Sequence, residues 1–479
     1  MNVSAKNNLR QRKFTGDLSA NAIQTLATQA FSFAIFYLTS RYLSKTDYGM
    51  LNWSMASAGT ILAISSLGTD FILVKRIATG KSVQHISSIH LFHTLTASSV
   101  ICFIVGLIAW LRPDSGAGDI FFYVTVLLSI GNIANSFKLM LNGLEAYRKM
   151  AWLALFSNLI RFMAIVALYI SGHFTLYAVI GAYTLGACAE LLLGHWITNR
   201  VMKTNILPKL YLQEYKGLLK ESLPQLAIVV FDSALARIDW ILLGLVSTSL
   251  ITAEYSFTYR IFELSKLPLL IIGPVLLTRF SKFFASGGTL HEKQAREIHL
   301  FFRLEMFVAL LIPMVLVCTW SPLMDFVTNN KYGLVNEYTY TILAICVPLH
   351  YMLNFLWTLA FAQGQLKTLM FITIGSSLGN ILLNLILIPS LGGQGSAFAF
   401  MGATALQLLL YFIFIKQSAF RPHTGVFILA VINGAAAVVM SKFLFNNCAL
   451  TALAAIASYS ILALVTGLIK PGHLKELRH

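Results

Sequence analysis

Fourteen apolar stretches follow one another along this chain of 479 residues, each close to the ~20 residues that a helix needs to cross a bilayer. Their limits are 18–40, 48–69, 88–111, 119–142, 151–171, 174–197, 223–247, 254–278, 298–320, 338–361, 368–389, 394–416, 424–444 and 449–469. They nearly fill the chain, and no connecting segment is long enough for a soluble catalytic domain. Charged residues make up 11% of the composition, against roughly 25% in a soluble domain. The expected fold class is an all-α polytopic membrane protein.

Loop charge orients the spans, because basic residues collect on the cytoplasmic side. The N-terminal tail carries Lys6, Arg10, Arg12 and Lys13 ahead of its first acid, Asp17. Every second loop after it is also basic, from Lys75, Arg76 and Lys81 to the tail with Lys470, Lys475 and Arg478. The opposite loops hold five basic and six acidic residues. Both termini are therefore expected in the cytoplasm, and the net charge of +16 needs no nucleic acid. The first span is too long and too polar for a signal-peptide core. Five cysteines, all in or at the ends of spans, argue against a disulfide framework.

Internal spacing points to duplication. Gly143, Gly172 and Gly181 recur as Gly364, Gly393 and Gly402 at a constant offset of 221. Thr46-Asp47-Tyr48-Gly49 has a counterpart in Ala253-Glu254-Tyr255-Ser256. The expected layout is two six-helix repeat bundles, 1–200 and 223–418, with two added helices and a tail in 419–479. Segment 201–222 reads as a cytoplasmic amphipathic linker. Six is even, so both copies enter the membrane in the same sense, as in alternating-access transporters.

The sharpest departure from apolar patterning lies in spans 7 and 8. Asp232, Arg237, Asp239, Arg260, Glu263 and Lys266 fall there, with Glu254 between the spans. An ionisable group in a bilayer costs about 2.5–3.5 kcal/mol on insertion scales, so such groups mark cavities, pairs or cargo paths. At ~100° per residue, Asp232 and Asp239 share a face of span 7, and Arg237 does not. Tyr255, Tyr259, Arg260, Glu263 and Lys266 form one stripe on span 8, which Pro268 and Pro274 are expected to kink. Arg161 and Glu190 also lie deep, whereas Lys138, Arg303 and Glu305 read as snorkelling from cytoplasmic ends. The cluster can be a neutral ion-pair network locking two helices, or the polar wall of a cavity between the halves. The polar strip Gln24, Thr25, Gln29 and Ser32 on span 1 favours the cavity. Gly80-Lys81-Ser82 is no phosphate loop, since Lys75 stands where its first glycine belongs. His85, His90 and His93 read as interfacial histidines, so neither a metal nor a cofactor is expected.

Residues 237–244 read Arg-Ile-Asp-Trp-Ile-Leu-Leu-Gly, followed by Glu254-Tyr255-Ser256 and by Tyr259-Arg260 with Glu263. This run resembles the midpoint signature of bacterial polysaccharide flippases. Leu43 to Gly49 resembles their first-loop signature, and Gln363-Gly364 with Gly392-Gly393 and Gly395 to Ala397 their second-half pattern. The resemblance covers almost the whole chain, and its family is the oligosaccharidyl-lipid branch of the multidrug/oligosaccharidyl-lipid/polysaccharide exporter superfamily. It implies a multi-pass transporter in the bacterial cytoplasmic (inner) membrane and not an enzyme. It implies as cargo an undecaprenyl-diphosphate-linked oligosaccharide of O-antigen, capsule or exopolysaccharide (lipopolysaccharide-type) biosynthesis. Membrane lipids, a polysaccharide polymerase and a chain-length regulator are the implied partners.

On that reading Arg161, Arg237, Arg260 and Lys266 meet the phosphates. Tyr255, Tyr259, Gln24 and Gln29 face the glycan, and Asp239 and Glu263 share the cavity wall. Asp232, Asp239 and Glu190 are candidates for ion coupling. Spans 13 and 14, rich in alanine, are candidates to hold the prenyl tail. A drug/cation antiporter of the same superfamily is the nearest alternative, though such proteins usually have twelve spans. A membrane glycan polymerase or ligase is the alternative from another class, and it usually carries a large outer loop. A structural subunit with static charge pairs is the third.

Overall fold

The computed structural model describes residues 27–80, 83–112, 116–285, 292–415 and 421–470. They form helices and short connections, with no strand among the described residues. The helices are α1 (27–42), α2 (Lys45–Ser65), α3 (Thr69–Ala78), α4 (Val83–Leu111), α5 (Gly116–Gly143), α6 (Tyr147–Ile170) and α7 (Leu176–Met202). There follow α8 (Leu212–Val246), α9 (Ser249–Ser265), α10 (Leu269–Ala285), α11 (Glu292–Thr328), α12 (Glu337–Ala362), α13 (Leu366–Phe414), α14 (Arg421–Leu444) and α15 (Cys448–Val465).

Nine helices among the described residues are long and apolar enough to cross a membrane, ten if the bent α2–α3 pair is one span. The chain is a multi-pass membrane protein. α13 counts once in that set, but Gly392 (φ 54°, ψ −126°) breaks it into the two expected spans. The charged helix α8 and the α9–α10 pair fall outside the set. Large apolar side chains such as Phe443, Phe326 and Trp110 point outward, which suits a surface bathed in lipid.

Two compact units meet at Arg237–Ile238, within α8. In the first, α5 is the hub, with α2, α3, α4, α6 and α7 packed on it. In the second, α12 plays that part for α9, α10, α11 and α13, and the added α14 and α15 pack on α11. Each unit has a pair of successive helices separated by a short break. α2 ends at Ser65 and bends by 55° into α3 through Leu67 and Gly68. α9 ends at Ser265, and α10 starts at Leu269. The expected kinked span 8 is therefore two helices. Pro268 has no N–H to continue the ladder and disfavours helical geometry at Leu267.

The equivalences differ from a constant offset. After α5 the left-handed residue is Glu145 (φ 55°), where Ala146 N–H donates to the Leu141 carbonyl. After α12 it is Gly364 (φ 75°), where Gln365 N–H donates to Ala360. Gly143 instead serves close packing: a Cβ there would lie 2.8 Å from that of Ile77. In the turns that follow α6 and that break α13, the left-handed glycines are Gly172 and Gly392 rather than Gly393. Asp47 sits in the first turn of α2, which Ser44 caps. Glu254 is one turn deeper in α9, which Thr248 caps, so these two tetrapeptides do not occupy equivalent places.

The expected linker is no separate element beyond Tyr211, because α8 runs unbroken from Leu212. Its first turns are fastened to the first unit. Glu221 takes Arg76 at 2.7 Å and Lys75 at 3.2 Å. The hydrogen bond from Arg76, with Lys75 beside it, holds the Glu221 carboxyl below the usual carboxylate range. His85 stacks on Tyr211 and lies 3.3 Å from Glu214. His93 sits between Tyr215 and the Ser65 carbonyl, at 2.9 and 3.1 Å.

Candidate functional site

A polar cavity of about 500 Å³ opens inside the first unit. Thr28 of α1, Asn135 and Lys138 of α5, Ser157, Asn158 and Arg161 of α6, and Glu190 of α7 line it. These helices are otherwise apolar, so the polar residues mark one inward stripe on each. Gly186 on α7 makes room: a Cβ there would stand 3.0 Å from Arg161 Cβ and 3.1 Å from its Nε. Lys138 Nζ meets Glu190 Oε1 at 2.6 Å. Arg161 makes one long contact, 3.5 Å to Asn158 Oδ1, and its guanidinium lies 5.6 Å from the Tyr183 ring centre. Its buried Nε has no hydrogen-bond partner among the described residues. The pair balances its own charge, and the cavity keeps a cation with donors to spare.

In the second unit, the end of α8 packs against α9. The Tyr255 hydroxyl donates to Asp239 Oδ2 at 2.6 Å, and Trp240 N–H donates to Asp239 Oδ1 at 2.9 Å. Asp239, Tyr255 and Tyr259 are buried. Ser396 lies beside Tyr255 and donates to Asn384 Oδ1 at 2.7 Å. Asn384 donates in turn to Asn380 Oδ1 at 2.9 Å. The expected stripe on span 8 therefore splits in two. Its tyrosines are interior, whereas Arg260 is exposed and Glu263 and Lys266 are half-buried. Arg260 pairs with Glu263 at 3.1 Å and sits 5.4 Å from the Trp240 ring centre. Lys266 Nζ lies 4.5 Å from the Phe262 ring centre.

The remaining candidates scatter. Gln29 is half-buried on α1, and Gln24 lies outside the described residues. Asp232 is exposed on α8, and Arg237 is half-buried on the same helix. The three residues read as snorkelling have three other placements. Lys138 holds Glu190. Arg303 caps the chain after α15, donating to the carbonyls of Gly467 and Leu468. Glu305 is 1% exposed. Asn380, Asn384 and Ser396 were missed. Their signal was two asparagines one helical turn apart in an otherwise apolar span.

The folded chain resembles solved transporters. "Lipid II flippase MurJ, inward closed conformation" superposes with a TM-score of 0.70 at 15% identity, covering 93% of this chain and 98% of that one. An inward-facing multidrug resistance MATE family transporter of the MOP superfamily gives 0.64 at 13%, covering 85% and 98%. A MOP superfamily transporter from Pyrococcus furiosus gives 0.55 at 12%, covering 86% and 94%. At such identities the likeness is one of fold. No curated protein matches the chain. The family model described as "Polysaccharide biosynthesis protein" matches residues 16–284, more than half of the sequence, and the chain belongs to that family.

Proposed function

We propose that this protein is a flippase that moves an undecaprenyl-diphosphate-linked oligosaccharide repeat unit across the bacterial cytoplasmic membrane by alternating access. The observation that carries the reading is the cavity of the first unit. Its volume of about 500 Å³ suits a diphosphate and its first sugar, since small-ligand pockets span about 300–1,000 Å³. Arg161 offers unengaged N–H donors, and arginine binds phosphate oxygens through paired hydrogen bonds. Asn135, Asn158, Ser157 and Thr28 match sugar hydroxyls. Arg260 and Lys266 give the second unit its own accessible cations.

On this reading both termini lie in the cytoplasm and the prenyl tail stays in lipid against α14 and α15. A polymerase and a chain-length regulator then use the exported unit, which belongs to an O-antigen, capsule or exopolysaccharide. The family match in polysaccharide biosynthesis supports this cargo over a drug, although the fold is shared with drug exporters. Cells lacking the gene, supplied with wild-type, Arg161→Ala or Arg260→Ala protein, test it. The expected outcome is restored surface polysaccharide with wild type. Each variant should lose at least about tenfold, equivalent to about 1.4 kcal/mol, with unchanged amounts of protein in the membrane. Full surface polysaccharide with both variants would sink the cavity assignment.

A further inference from the structure

Three carboxylates are buried among the described residues of the helices: Glu190, Asp239 and Glu305. The first has Lys138 as a counter-ion. The second accepts hydrogen bonds from Tyr255 and from the Trp240 N–H. Glu305, in the second unit on α11, has neither. Both of its oxygens are buried without a hydrogen-bond partner among the described residues. Asn354 of α12 stands beside it, and the Asn354 Nδ2 is likewise buried and unpartnered.

The groups on neighbouring elements are engaged elsewhere. On α11 itself, Arg303 is turned to the chain end after α15 and to His299. From α10, Arg279 pairs with Glu297. From α14, His423 packs among the rings of Phe302 and Phe355. From α15, the Tyr459 hydroxyl points at the carbonyls of Met306 and Phe307. On α12, His350 stacks on Phe400. At the end of α9, Lys266 lies over Phe262. One link leads outward from the Glu305 pocket. Tyr351, one turn before Asn354, donates from its hydroxyl to the Ser265 carbonyl at 3.1 Å. Ser265 is the last residue of α9, where the span breaks.

A bare carboxylate in an apolar interior is costly, and such a group escapes the cost by taking a proton. We infer that Glu305 is a proton-binding site, set between α11 and α12, whose loading and release accompany the transport cycle. The neutral acid needs no counter-ion. The ionised form finds the Asn354 amide next to it as a donor. Exchange between the two forms changes what Asn354 bonds, one turn from the residue that holds the end of α9. The coupling half of this inference rests on the flippase reading; the proton site does not.

Infrared difference spectra of the full-length protein in lipid nanodiscs, taken between mildly acidic and alkaline buffers, test the site. Wild type and Asp239→Asn should show the carbonyl stretch of a protonated carboxyl, with its isotope shift in heavy water. Glu305→Gln, an isostere of the neutral acid that preserves the packing, should lack it, and Glu305→Asp should retain it. A Glu305→Gln spectrum identical to wild type overturns the site. So does a band removed by sodium ions at constant pH, which would make it a metal-cation site.

The same variants in cells test coupling. Surface polysaccharide should fall at least about tenfold in Glu305→Gln and recover in part in Glu305→Asp. Loss of the band with wild-type export would mean a static proton and overturn coupling. Absence of export by the wild-type protein would overturn the flippase reading and leave the infrared result standing.

Discussion

The Tyr255 hydroxyl and the Asp239 carboxylate lie 2.6 Å apart and are both buried in the second unit. The bond ties α9 to the end of α8, and so ties together the two helices that carry the densest intramembrane charge. Tyr255→Phe removes the donor and leaves a buried acceptor short of one partner, a change that costs about 1–3 kcal/mol. A lower midpoint of thermal unfolding in detergent is the expected result. Asp239→Asn, which keeps a side-chain oxygen facing the hydroxyl, should be milder. Equal unfolding midpoints for Tyr255→Phe and wild type would show that the bond adds nothing.

Lys138 and Glu190 form the ion pair of the first unit's cavity, the lysine about a third exposed and the glutamate buried. Lys138→Ala strands the carboxylate. After allowance for water reaching the lysine, the expected destabilisation is on the order of 2 kcal/mol. The double variant Lys138→Met with Glu190→Gln should regain most of that stability while surface polysaccharide stays low. Recovery of both together would mark the pair as purely structural.

Glu221 supplies the pH dependence outside the spans. Its carboxyl is held below the ordinary range by Arg76 and Lys75. A depressed folded-state value means that the clamp on α8 is fully present above the ordinary carboxylate range, about 4.3. It is lost as pH falls through the lower folded value. Hydrogen exchange of residues 212–222, corrected for intrinsic rates, should stay slow at neutral pH and accelerate in acid. In Glu221→Gln it should be fast at both.

Gly68 is the residue at which the span of α2 and α3 turns. It has φ +74°, and a Cβ would stand 2.7 Å from Gln225 Cβ. Gly68→Ala meets both a left-handed backbone and α8 at Gln225, at a cost of about 1–3 kcal/mol for the backbone alone. A lower unfolding midpoint and faster exchange in α3 are expected. At Gly80, also left-handed but with nothing near its Cβ, alanine should cost less.

Much of the fold was legible in the chain. Within the described residues the expected spans fall on helices, span 8 on two of them, α9 and α10. The helix pair expected within 419–479 is present as α14 and α15, which pack on each other and on α11. The site was legible only in part. Arg161 and Glu190 were found because a charge deep in an apolar run is conspicuous. Lys138, Arg303 and Glu305 face partners or the interior rather than a cytoplasmic surface, because depth along a helix does not tell which way a side chain faces. Tyr255 and Tyr259 were placed on the right arc of α9, but the arc faces α8 and α13 before it reaches open space.

The division follows from what each property sums over. Hydropathy, loop charge and turn residues are local, so about 20 consecutive residues suffice to mark a span, and the sequence by itself determined the all-helical membrane class. Partnerships are not local. Lys138 meets Glu190 across 52 positions, and Asn384 meets Ser396 across the Gly392 break. Whether a buried carboxylate has a counter-ion, a hydroxyl or nothing depends on which helix packs beside it. Only the tertiary structure decided that Glu190 is paired, Asp239 is held and Glu305 has no counter-ion, only the Asn354 amide beside it.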